Sequence, residues 1–126
     1  MSGERYLLDT NAVVALLRGD QPLQQRLHNA DWIGISILSE IEFLAFPNIS
    51  AQDRQALRQF AEIVDVIGLD HSSGALIDTV VSLRRQYKLK LPDAIIAATA
   101  VEAGATLITE DAQLRKLSAV TSIGIH

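Results

Sequence analysis

Short runs of almost uninterrupted apolar residues alternate along this chain with longer stretches in which apolar residues recur every three or four positions. Arg5 to Leu8 reads as a first strand, followed by helical spacing from Asn11 to Arg18 that stops at Gly19-Asp20. A second helix begins after Pro22 and reaches Asn29, and Trp32 to Ser36 is the next strand. From Ser36 the pattern is helical until Pro47, Ser50 caps a helix running to about Glu62, and the β-branched run Ile63 to Leu69 supplies a third strand. Ser72 or Ser73 opens a long helix to about Tyr87. Pro92 at a first helical position starts another, which Ala103-Gly104 ends, proline at entry and glycine at exit. Thr106 to Thr109, Asp111 to Leu117 and Val120 to Ile123 follow as strand, short helix and strand.

Strands that alternate with helices and are apolar on both sides imply an α/β fold with a mostly parallel sheet covered on both faces. Ligands of such sheets bind beyond the carboxyl ends of the strands, near the point where strand order reverses. No repeat, low-complexity tract or long linker divides the sequence, so residues 1–126 are expected to form one domain with one core.

That geometry gives meaning to four acids. Asp9 closes the first strand, Glu42 lies on an apolar helix, Asp93 follows Pro92, and Asp111 follows Leu107-Ile108-Thr109. Two like charges ~4 Å apart repel by roughly 4 kcal/mol at an effective dielectric of 20, so converging carboxylates need protons or divalent cations. Each Asp alone is equally well a helix cap or a complement to a helix dipole; the coincidence, with Thr10, Asn11 and Thr109 close by to orient carboxylates or bound water, points to a metal site. Glu40 lies roughly 200° round the helix from Glu42, so only one of them faces the site, and periodicity favours Glu42 only slightly. Asp70 reads as a turn or cap residue at a sheet edge, and Glu110 as a possible second ligand beside Asp111 whose side chain points the other way. His28, His71 and His126 have no partner at ligand spacing and read as surface residues.

The chain has no cysteine, which excludes disulfides, thiolate nucleophiles and zinc-thiolate sites. It offers no signal-peptide core and no apolar stretch approaching the ~20 residues of a membrane span, so a soluble, cytoplasmic protein is expected. The net charge of −4 argues against a nucleic-acid partner only until the four acids are neutralised by metal. Four of the eleven basic residues, Arg84, Arg85, Lys88 and Lys90, crowd the segment just before Pro92. They read either as a solvated helix end complementing its dipole or as a phosphate-contacting rim.

These residues resemble the PIN domain family and, within it, the VapC-like toxins of bacterial toxin–antitoxin pairs. The resemblance spans essentially the whole chain. It rests on Leu8-Asp9-Thr10-Asn11, on Ser36 followed six residues later by Glu42, on the run Leu91-Pro92-Asp93-Ala94 with its small-residue helix to Ala100, and on Leu107-Ile108-Thr109-Glu110-Asp111. It implies an α/β/α sandwich with a five-stranded parallel sheet in order 3-2-1-4-5. It also implies a site of Asp9, Glu42, Asp93 and Asp111, with Ser39 where the family often has Thr, and the Ser36 spacing selects Glu42 over Glu40.

The implied activity is Mg²⁺- or Mn²⁺-dependent endoribonuclease cleavage of structured RNA, leaving a 5′-phosphate and a 3′-hydroxyl. The implied partners are RNA, a cognate antitoxin and a second copy of the chain. Other readings are a PIN nuclease of RNA processing outside toxin systems and a non-catalytic RNA- or protein-binding PIN domain. A phosphoryl-accepting receiver fits less well, because no strand ends in a Lys-bearing loop. The six aromatics offer no obvious base-stacking platform, so recognition is expected to use RNA shape and phosphates, through Arg84, Arg85, Lys88, Lys90 and Arg18. The segment Phe43 to Pro47, apolar on all sides, suits a homodimer or antitoxin surface, or simply a buried helix end.

Overall fold

A computed structural model describes residues 3–126. Five strands, β1 (Arg5–Leu8), β2 (Trp32–Ser36), β3 (Asp65–Ile67), β4 (Thr106–Ile108) and β5 (Ser122–Ile123), form one sheet in order 3-2-1-4-5. All four pairings are parallel, with Leu8 opposite Ile35 on one side and Ile108 on the other. The order reverses at β1, between β2 and β4, as the family resemblance implies.

Side chains of a strand alternate between faces, and here each face has its own core. Leu7 and Leu107 pack among helices α5 (Gly74–Tyr87) and α6 (Leu91–Glu102), together with Leu114 and Val120. Tyr6, Leu8, Ile35 and Ile108 pack on the opposite face against α1 (Thr10–Leu17), α2 (Gln21–His28), α3 (Ile37–Leu44) and α4 (Ala51–Ile63). The short α7 (Ala112–Arg115) joins β4 to β5. Helix α6 is buried without a break from Ala94 to Ala100, and its run of alanines lets it lie close to α5 and the sheet. It ends as expected: Ala103 is the C-cap, and Gly104 takes a left-handed φ of 61°.

Several boundaries differ from the sequence reading. The third strand is confined to Asp65–Ile67, because α4 keeps its amphipathic register through Leu57 and Phe60 and runs on to Ile63, which is 82% exposed. Only Ser122–Ile123 pair as the last strand, while Val120 is consumed in the core. Pro92 sits one residue inside α6, after Leu91, and α7 ends at Arg115 rather than Leu117. No helix among the described residues is long and apolar enough to cross a membrane.

Leu8 is fully buried at the centre of the sheet, so Leu8→Ala is expected to cost about 2–5 kcal/mol of stability. Ile63→Ala is expected to stay within about 0.5 kcal/mol. Denaturant midpoints at constant slope test both, and an equal cost would contradict the boundary placed at Ile63.

Candidate active site

The carboxyl ends of β1 and β4 open into a cleft lined by Asp9, Thr10, Asn11, Glu42, Ala45, Phe46, Asp93, Ile96, Asp111 and Leu114. The four acids singled out in the sequence therefore meet at the point where strand order reverses, each delivered by a different part of the fold. Asp9 extends β1, its amide donating to the Ile108 carbonyl at 3.2 Å. Glu42 comes from α3, Asp93 from the first turn of α6, and Asp111 from the turn after β4.

Two of the acids cap helices and line the cleft at once. Asp9 is the N-cap of α1, its Oδ1 accepting from the Ala12 amide at 2.8 Å. Asp111 is the N-cap of α7, its Oδ1 accepting from the Gln113 and Leu114 amides at 2.8 and 3.1 Å. A carboxylate has a second oxygen, and among the described residues Asp111 Oδ2 takes no protein donor. The capping reading and the site reading of these residues are therefore compatible.

Thr109 joins the two. It is fully buried at the end of β4, its Oγ1 accepts from the Asp111 amide at 3.0 Å, and its hydroxyl bonds the Asp9 carboxylate. Thr10 plays the matching part for Glu42, donating to Oε1 at 2.5 Å. Asp93 takes no protein hydrogen bond among the described residues.

Charge in this cleft is held at a cost. Asp9 is only 6% exposed, and burial raises its pKa, with Asp111 and Glu110 adding repulsion against the hydrogen bonds from Thr109 and Ala12. Burial also raises Asp93, repulsion from Asp111 and Glu42 adds to it, and the Lys90 ammonium partly offsets both. A cation would relieve that strain. The donors are carboxylate, hydroxyl and amide oxygens with no Cys or His among them, a set that suits a hard ion such as Mg²⁺ or Mn²⁺ rather than zinc. Among the described residues no three Asp, Glu, His or Cys side chains come close enough together to hold one ion directly, so at most two carboxylates would ligate a cation here, with waters completing the shell as Mg²⁺ requires.

The remaining sequence candidates divide. Asn11 lines the cleft, whereas Glu40 does not. Glu110 turns away, its Oε1 accepting from the Ile125 amide at 2.5 Å. Ser39 is buried on α3 with its hydroxyl lacking a partner, and Ser36 caps that helix by accepting from the Leu38 amide. In the basic cluster, Lys90 stands beside Asp93, while Arg84 donates Nε–H to the Leu89 carbonyl at 3.2 Å and so ties the α5–α6 loop. Lys88 is the left-handed C-cap of α5, and Arg85 lies on the outer face of that helix with Asp78 and Gln86. Asp70 is a turn residue, accepting from the Ser72 amide at 2.8 Å. His28, His71 and His126 are exposed, and His126 pairs with Asp20.

The family model of the PIN domain matches residues 6–120. Among solved structures, a chain of a toxin–antitoxin complex from Klebsiella pneumoniae is 27% identical, with a TM-score of 0.77 over 96% of this chain and 98% of that one. VapBC-1 from nontypeable Haemophilus influenzae is 19% identical with a TM-score of 0.79, covering 96% and 98%. VapBC2 from Rickettsia felis, bound to a DNA fragment from its promoter, is 19% identical with a TM-score of 0.76, covering 95% and 98%. No curated protein matches.

Because Asp9 and Asp93 bind a proton more readily folded than unfolded, stability falls as pH rises from the ordinary aspartate value through their raised values. Asp9→Asn keeps a good N-cap and removes the charge. Without divalent cation its Tm at neutral pH is expected to exceed that of the wild type, the gap closing as pH falls and Asp9 protonates. A lower Tm at neutral pH would contradict the assignment of burial as the dominant cost. Thr109→Val, nearly the same shape, leaves the Asp111 amide and Asp9 short of a partner and is expected to cost about 1–3 kcal/mol by chemical denaturation.

Proposed function

The chain belongs to the PIN domain family, and from that premise we propose that it is a divalent-cation-dependent endoribonuclease, the toxin of a VapBC-type toxin–antitoxin pair. The observation that carries the nuclease reading is the meeting of Asp9, Glu42, Asp93 and Asp111 in one cleft at the reversal of the sheet. Support for the toxin reading comes from the Klebsiella toxin–antitoxin chain, 27% identical and similar over nearly the full length of both proteins.

Asp9 and Asp93 would hold the cation directly, with Glu42 and Asp111 reaching it through water. Bound there, Mg²⁺ or Mn²⁺ supplies Lewis acidity to the scissile phosphate and an acidified water. The chain's own residues orient and balance charge. Thr10 holds the Glu42 carboxylate in one rotamer, and Thr109 locks Asp9 to Asp111, so three of the four acids keep their places without the metal. Lys90, beside Asp93, meets a non-bridging phosphate oxygen at the mouth. With no cysteine in the chain and no histidine or lysine among the described residues lining the cleft, an activated water rather than a covalent enzyme intermediate suits the reaction. The products are a 5′-phosphate and a 3′-hydroxyl, structured RNA is the substrate class, and the cytoplasm is the place of action.

Total RNA incubated with the purified chain is expected to be cut in Mn²⁺ and spared in chelator. Asp93→Asn is expected to lose at least a hundredfold in rate, the order of effect reported for disrupted metal and electrostatic sites. Equal cleavage by wild type and variant would refute the assignment.

A further inference from the structure

A second depression adjoins the acid cleft and differs from it in chemistry. It encloses about 400 Å³, its floor is Val14, Leu17, Phe43 and Phe46, and its rim carries Asn11, Arg18, Asn48 and Asp53. Asn11 and Phe46 belong to both, so the two are consecutive compartments of one surface. Phe46 is 41% exposed just beyond the end of α3, and its ring leans on that of buried Phe43, 6.0 Å between centroids at a 48° tilt. An exposed ring backed by a buried one is held in place while part of it stays open to solvent. At the far end Arg18 is exposed and makes no ion pair among the described residues.

From this continuity we infer that the groove takes the base of an unpaired nucleotide next to the scissile phosphate, stacked on Phe46, with Arg18 receiving a neighbouring phosphate of the same strand. The inference rests on the nuclease reading above and adds the requirement that the substrate be single-stranded at the cut. The chemistry of the compartments runs in the order a strand presents it. Carboxylates that would hold a cation meet one phosphate, an apolar floor with an aromatic ring meets the base, amides at Asn11 and Asn48 and the acceptor-only carboxylate of Asp53 reach its edge, and the Arg18 guanidinium meets the next phosphate. Its volume falls within the range of small-molecule sites. A base paired within a duplex could not enter, so loops and bulges of a structured RNA are the places cut.

Phe46→Ala and Phe46→Tyr test it on the full chain, with an oligoribonucleotide carrying 2-aminopurine as probe, alone or annealed to its complement. Binding is read in Ca²⁺, a hard cation that balances the carboxylates of the cleft, and cutting in Mn²⁺. The wild type is expected to quench the probe and bind the single strand in preference to the duplex. Phe46→Ala is expected to lose about 5- to 150-fold in affinity and in KM, the equivalent of the roughly 1–3 kcal/mol of one base stacked on an aromatic ring, and Phe46→Tyr to restore it. If the wild type cuts RNA while Phe46→Ala quenches and binds as before, the base pocket is wrong and the nuclease stands. If the wild type cuts nothing, the nuclease reading fails and the Ca²⁺ binding measurement still decides the pocket. A loss confined to capture of a co-expressed antitoxin would assign the groove to a protein segment and overturn the inference.

Discussion

A carboxylate at the end of the central strand, buried and facing other carboxylates, is the constraint around which this molecule is arranged. Asp9 is 6% exposed, and burial, with Asp111 beside it, disfavours its charged form. Burying an ion without compensation is costly, and here the compensation is local: the first turn of α1 supplies an amide, and Thr109 supplies a hydroxyl. What remains unbalanced is a demand for positive charge in the cleft. A fold optimised only for stability would place an uncharged residue there, a cost that the proposed cation site accounts for.

The scaffold makes that exchange tolerable because each acid rides on an element fixed by packing. Two hydrophobic cores clamp the sheet from both sides, and α6, buried from Ala94 to Ala100, brings Asp93 to the strand ends. Among the described residues Asp93 is then the acid free of protein donors, while Asp9, Glu42 and Asp111 are each held by a neighbour. A preorganised set with one unengaged member suits a hydrated hard cation better than a closed cage would.

Much of this was legible in the residues because it rests on period and punctuation. The parallel sheet follows from apolar runs such as Tyr6-Leu7-Leu8, and α6 follows from its proline and glycine ends. The strand order and the choice of Glu42 over Glu40 came from the family resemblance, since spacing alone left Glu40 open. The end of α4 was misplaced because Ile63-Val64 satisfies both a helix and a strand, and only tertiary packing decides. The fate of Arg84 was hidden for a similar reason: its tie to the Leu89 carbonyl depends on the loop conformation and not on charge pattern. The exposure of Phe46 was invisible too, since a count of aromatics says nothing about which ring is left exposed beside a cleft.

The central claim is that these separated acids share one hard cation. Crystals grown with Mn²⁺ and measured for anomalous scattering test it directly. The account predicts a peak in the cleft within about 2.0–2.3 Å of a carboxylate oxygen of Asp9 and of Asp93, the coordination range of such ions. A cleft with no peak at saturating Mn²⁺, or a peak bound only by acids elsewhere on the surface, would contradict it.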